Sequence, residues 1–388
     1  MRAGFRFGSM FGISLFAHYS WFLVFTLVSI SLVAQFAGQF PAIPAPAHWV
    51  LGLAASGFFF ASVIAHEMAH SLVAIKNGCN VKAITLFVFG GVAEIEKEPE
   101  RPGTEILIAA VGPLASFALG LLFGAIRWLS QDQLPAVGSV AGWLASVNFM
   151  LGLFNLLPGL PLDGGRVLRG ISWWLTGNRL SATRIAAGAG QVIGYSIILL
   201  GAWLAFGQKD LAGGLWFLFI GWFLVNAAET SFVHMQFQQA IAGVKASEVM
   251  ATDCHFISAG TSLADFVEHF LMRRGGDCFI VGDETSPKGI IAVSDVRARP
   301  REQWSNLSVQ AAMRPMSELR FVSPDSNVEE VLQLMNSKNV AQIPVMRNGQ
   351  LLGMIGKDDL LRLIRNRLET DQGSSDGSGR PKTAIATR

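Results

Sequence analysis

The chain has 388 residues, 51% of them hydrophobic and 15% charged, with a mean hydropathy of +0.42 and a formal net charge of +2. These totals exclude a protein that binds nucleic acid through a basic charge balance, and they describe a membrane protein with a soluble part. Cys79, Cys254 and Cys278 have no CxxC spacing and predict neither a disulfide framework nor a thiolate metal site.

In chain order, about six apolar runs are long enough to cross roughly 30 Å of hydrocarbon. They are Leu15–Phe36, Trp49–Ile75, Thr104–Trp128, Ser139–Leu157, Ala186–Phe206 and Leu211–Phe232. Arg2 and Arg6 precede the first run, but no small-residue cleavage pattern follows it, so it reads as a retained span. With the N-terminus in the cytoplasm, the inner flanks hold Arg2, Arg6, Lys76, Lys82, Lys97, Arg101, Arg166, Arg169, Arg179 and Arg184. The outer flanks hold only Arg127 and Lys209. This asymmetry predicts a multi-pass protein of the cell membrane, with its N-terminus and everything after the sixth span in the cytoplasm.

The first span carries His18 at its start. The second carries His66-Glu67-Met68-Ala69-His70. On a helix, His66 and His70 share one face one turn apart and can ligate one Zn²⁺, while Glu67 can reach an activated water as general base. Ionisable groups at membrane depth cost about 2.5–3.5 kcal/mol each on insertion scales, so three within five residues need compensation.

The next stretch, Val81 to Glu94, is β-branched and aromatic and is interrupted by Gly90-Gly91. It predicts a strand or hairpin, tolerated at membrane depth where it lines a cavity or meets protein. A strand edge there offers an extended substrate something to pair with. The third span opens with Gly112-Pro113-Leu114-Ala115-Ser116, which predicts a kink and close helix approach.

The fourth span ends in Asn155-Leu156-Leu157-Pro158-Gly159-Leu160-Pro161-Leu162-Asp163-Gly164-Gly165. The prolines and glycines must break the helix. A catalytic zinc takes three protein ligands, and Asp163 is the best-placed third. Asn155 can donate a hydrogen bond to a developing oxyanion. The last two spans read as packing.

HEMAH in a span, the Gly-Gly strand and the Asn-Leu-Leu-Pro to Leu-Asp-Gly-Gly stretch together resemble the site-2 protease family of intramembrane zinc metalloproteases, over about Gly12 to Phe232. The resemblance implies one zinc per chain on His66, His70 and Asp163, with Glu67 and Asn155 catalytic. It also implies that Phe89, Gly90, Gly91 and His18 meet the substrate. Ser116 stands where relatives often carry Asn, which argues against a polar role at that position.

From about Ala246 the composition is that of a soluble α/β domain with an internal repeat at an offset of about 64 residues. Gly289-Ile290-Ile291-Ala292-Val293-Ser294-Asp295 recurs as Gly353-Met354-Ile355-Gly356-Lys357-Asp358-Asp359. Each copy reads as strand–helix–strand–strand–helix and resembles a CBS domain. That resemblance implies a tandem pair able to bind an adenine nucleotide, with Asp295 and Asp359 as ribose acceptors, or to dimerise. Hydroxyls are missing at Ala292 and Gly356.

The expected architecture is therefore a polytopic α-helical membrane domain (1–232) with a membrane-associated β-hairpin. A linker (233–245), two CBS domains (246–305 and 306–368) and a disordered tail (369–388) follow. The expected activity is cleavage of transmembrane segments of membrane-anchored signalling proteins, with no nucleic-acid partner. A CBS-gated transporter and an inactive zinc-binding scaffold are the alternatives. The transporter does not need Glu67 beside His66.

Overall fold

The computed structural model describes residues 4–88, 90–95, 99–271, 279–283, 286–338 and 340–375. The chain divides into a unit Met1–Met235 and a unit Gln236–Arg388.

In the first unit, strands β1 (Gly4–Met10) and β2 (Ile13–His18) precede helices α1 (Tyr19–Gln39) and α2 (Ala45–Lys76). Strands β3 (Val81–Phe87) and β4 (Gly90–Ile95) follow. Then come α3 (Pro102–Ser130), α4 (Pro135–Asn155), the short α5 (Asp163–Thr176), α6 (Arg179–Ala202) with a π-helical turn at Trp203–Gly207, and α7 (Leu211–Ile241). All of these helices except α5 are long and apolar enough to cross a membrane. Their outer faces expose large apolar side chains such as Leu23, Leu27, Trp216 and Trp222. That much exposed apolar surface requires lipid around it.

Lipid gives apolar helix faces little reason to leave it, so small residues and polar contacts hold the helices together. On α3 and α4 the small residues act reciprocally. Gly120 receives the ring of Phe149, and Gly152 receives the ring of Phe117. Between α4 and α2, Asn148 Nδ2 donates to Ser62 Oγ at 3.2 Å. α3 passes through Pro113 as one helix.

The first apolar run differs from expectation. Residues 13–18 form β2, and α1 begins only at Tyr19. A short apolar run cannot be told as strand or helix by periodicity alone. Here pairing decides: β2 joins β1 through a two-residue turn at Phe11 and Gly12, both at positive φ, and runs parallel to β3. The sheet has the order β1-β2-β3-β4, so the expected hairpin is half of a four-stranded sheet. Ile13, Leu15, Val81 and Ile84 pack beneath it against Met68 of α2 and Ile108 of α3. This sets the sheet beside the HExxH turn.

The second unit is a tandem pair of CBS folds. β5 (His255–Ile257), β6 (Phe279–Asp283), β7 (Ser286–Ile290) and β8 (Arg314–Pro315) form one sheet. β9 (Gln342–Arg347) and β10 (Gln350–Gly356) form a hairpin whose Asn348-Gly349 turn has positive φ at both positions, the usual two-residue solution. Residues 233–245, expected as a linker, are helical through Ile241. Ala240, Ile241 and Val244 belong to the apolar core of the second copy. Helix also continues over residues 357–375, beyond the expected start of the tail, and residues 376–388 lie outside the described ones. Cys254 is disulfide-bonded, which corrects the reading of the cysteines as unpaired.

Candidate metal centre

His66 and His70 lie on α2, and Asp163 is the first residue of α5. The fold brings the three together, and all are buried. His66 Nε2 lies 3.1 Å from Asp163 Oδ2, His70 Nε2 lies 3.2 Å from the same oxygen, and the two Nε2 atoms are 3.2 Å apart. Ligand atoms bonded to a tetrahedral zinc at about 2.0–2.1 Å lie about 3.3 Å from one another, so this triangle has the right size.

The other ring nitrogens fix its chemistry. His70 Nδ1 donates to the Ile108 carbonyl at 2.6 Å, and His66 Nδ1 meets Ser116 Oγ at 2.8 Å. In a neutral His70 this leaves the Nε2 lone pair facing a carboxylate oxygen and a second imidazole. Electron pairs so aimed can hold a cation between them, and the donor set fits zinc.

Close approach of α3 makes this possible. A Cβ at Gly112 would overlap His70 Nε2 and lie 2.7 Å from His66 Nε2. Asp163 is placed by the broken end of α4. Residues 156–162 fold back so that Gly165 lies against Gly159, while Gly190 of α6 leaves room for the Leu160 carbonyl. Leu160 N–H donates to the Ala186 carbonyl at 3.0 Å, tying the loop to α6. β4 passes over Glu67, with Gly91 so near that a Cβ there would overlap the Glu67 side chain.

The remaining expected residues are not all gathered here. Asn155 ends α4 and spends its amide on the Leu151 carbonyl at 3.0 Å. His18 caps α1, its Nδ1 accepting from Ser20 N–H at 3.2 Å. Gly90 opens β4 beside Gly91, at φ +130°. Phe89 lies outside the described residues. In the CBS pair, Asp295 accepts from Ala292 N–H at 2.9 Å and from Arg314 Nε at 2.9 Å. Asp359 accepts from Gly356 N–H at 2.8 Å and pairs with Arg362. Both carboxylates are thus engaged within the protein.

The sequence reading missed Ser116, whose polar role it argued against, and the Ile108 carbonyl. A lone polar side chain in the apolar run 106–126 was the available signal for the first. A backbone carbonyl leaves none.

This combination, a buried His-His-Asp cluster among membrane-crossing helices with a glutamate beside it, defines an intramembrane metalloprotease. Peptidase family M50 matches residues 54–136 and 129–201, and the CBS domain matches 246–302 and 309–366. The chain is 33% identical over 369 residues to "Putative zinc metalloprotease sll0528" of Synechocystis, covering 94% of this chain and 96% of that protein. It is also 33% identical over 368 residues to a protein of the same description, Rip3 of Mycobacterium tuberculosis, covering 94% and 93%. Among solved structures, the site-2 protease of Methanocaldococcus jannaschii is 28% identical, covers 59% of this chain and 95% of its own, and aligns with a TM-score of 0.40. The chain belongs to the M50, site-2 protease family of zinc metalloproteases and carries a tandem CBS pair.

Proposed function

We propose that the protein cleaves transmembrane segments of membrane-anchored signalling proteins and releases a cytoplasmic fragment. His66, His70 and Asp163 would hold one zinc, which when bound supplies the Lewis acidity that activates water and polarises a carbonyl. Glu67 takes the proton from the attacking water on its carboxylate and returns it to the leaving amide nitrogen. Asn155 would turn its amide from Leu151 to the developing oxyanion. The substrate helix must unwind, because a helical carbonyl is already hydrogen-bonded. Pairing with β4, an edge strand of the sheet among the described residues, compensates for the lost bonds. The observation that carries this reading is the convergence of His66 Nε2, His70 Nε2 and Asp163 Oδ2 with Glu67 beneath Gly91.

The test compares Glu67→Gln with wild type. The variant should retain zinc and lose cleavage of a transmembrane substrate in liposomes, and membrane fragments that accumulate in its cells should name the substrates. Normal turnover by Glu67→Gln would sink the mechanism.

Regulation through the CBS pair, by an adenine nucleotide, is the second part of the proposal. A cleft of about 390 Å³ is lined by Arg314, Glu318, Arg320, Lys338 and Gln342 among others. Arg320 and Lys338 at one cleft suit a phosphate chain. The lysine and arginine asymmetry supports a cytoplasmic position for this pair, where such nucleotides are found. The same pair is the proposed surface for homodimerisation.

A further inference from the structure

The candidate metal centre takes its ligands from two helices, α2 and α5, and both must register against α3. One stripe of α3 makes the contacts that bear on the three side chains. Glu105, Ile108, Gly112 and Ser116 recur at intervals of three and four residues, so they share one face, and all are buried. Ser116 and the Ile108 carbonyl hold the imidazoles, and Gly112 gives them room.

Glu105 is the remaining member of the stripe. It is 0% exposed, one helical turn before Ile108, and it pairs with Arg169 of α5 through Arg169 Nε at 2.5 Å and through Nη2. Among the described residues its second carboxylate oxygen is buried without a hydrogen-bond partner, so the compensation for this buried charge found there rests on Arg169. The next residue, Gly170, sits where a Cβ would lie 2.5 Å from Ile106 Cγ1 and 3.2 Å from the Pro102 carbonyl. Gly170 follows Asp163 by seven residues, two turns along the same face of α5. Close packing at Gly170 sets the distance between α5 and α3, but packing of small residues leaves rotation and sliding free. Nε and Nη2 of Arg169 both grip Glu105 Oε1, and this charge-assisted contact opposes both.

We propose that the Glu105–Arg169 pair is a positioning device for the metal centre. It sets the rotation and height of α5 against α3, and hence where Asp163 meets the two imidazoles. Neither residue contacts the cluster. They act through Asp163 on one side and the Ile108 carbonyl on the other. The inference rests on the reading of His66, His70 and Asp163 as zinc ligands.

The experiment uses the full chain in detergent, as Glu105→Gln and Arg169→Lys beside wild type. Zinc affinity is measured by chelator competition, and the absorption spectrum is recorded with Co²⁺ in place of zinc. Both variants should bind zinc about ten- to a hundredfold more weakly, the loss typical for groups that orient metal ligands. Their Co²⁺ spectra should depart from that of wild type, because the ligand geometry has changed. Arg169→Lys keeps the charge and loses only the fork, so it serves if Glu105→Gln does not fold. Wild-type affinity in the folded variants would overturn the proposal. So would weaker binding and a lower melting temperature with an unchanged Co²⁺ spectrum, the mark of a merely structural pair. Failure of wild type itself to bind either metal would overturn the metal-centre reading instead, and with it this one.

Discussion

At the scale of single residues, Gly112 and Ser116 carry the sharpest consequences. A methyl group at Gly112 overlaps His70 Nε2, and the neighbour is a ring fixed at its other nitrogen rather than a flexible chain end. Gly112→Ala should therefore abolish zinc retention, read as metal content after gel filtration. Ser116→Ala is gentler: His66 keeps its place but loses the partner of Nδ1. Zinc affinity should fall about ten- to a hundredfold while the chain stays folded. Unchanged affinity would return Ser116 to simple packing. The three residues proposed as ligands, which the fold gathers, were legible in the sequence because histidines one turn apart, and a carboxylate in a broken helix, announce themselves by type and spacing. The residues that orient them were not. Ser116 lies 50 positions from His66, and only the crossing of α2 and α3 joins them. The same holds for Arg169, which reads as one more cytoplasmic charge until Glu105 is found against it.

Elements were legible where composition forces one answer. The long apolar runs could only be spans, and the Gly90-Gly91 pair signalled a hairpin, although both glycines lie in β4, paired with Phe87 and Leu86. The N-terminal hairpin was hidden because its turn is Phe11-Gly12 rather than the Asn-Gly or Asp-Gly that marks such turns. β2 also runs straight into the apolar start of α1. Parallel pairing of β2 with β3 then depends on a crossover through two membrane helices, which no local pattern encodes. This sheet delivers β4 to Glu67, and that contact can be tested apart from the metal. Gly91→Val places its Cβ within the Glu67 side chain. Cleavage should drop about 100-fold, since a displacement of roughly 1 Å at a catalytic group costs that much, while zinc content stays at wild-type level. Equal loss of zinc would mean that β4 supports α2 as a whole rather than placing Glu67.

At the scale of the whole molecule, the sequence showed two parts, and the division between the units falls within the expected linker, but that Ala240, Ile241 and Val244 join a core was not legible, because three apolar residues are too few to declare one. Orientation rests on charge alone. Ala42→Cys should label from outside intact cells and Asp325→Cys only after lysis, since Cys79 is buried and Cys254 is already bonded. The reverse pattern would put the CBS pair outside the cell. With the pair inside, a nucleotide can change activity only by its difference in affinity between two arrangements of the protein. A tenfold change in rate needs about 1.4 kcal/mol of such coupling. Asp295 and Asp359 make poor probes, because each also accepts a backbone N–H at the start of a helix, and removing such a cap costs about 1 kcal/mol of stability. Arg320 and Lys338 line the cleft. Arg320→Glu with Lys338→Glu should abolish calorimetric binding of ATP or AMP to the full chain and erase any nucleotide effect on cleavage, with zinc content unchanged. Wild type that binds no nucleotide at millimolar concentration would discard the nucleotide, with the hydroxyls missing at Ala292 and Gly356 as the reason. Binding without a change in rate would leave the pair as a dimerisation module, which sedimentation of the full chain in detergent would then reveal.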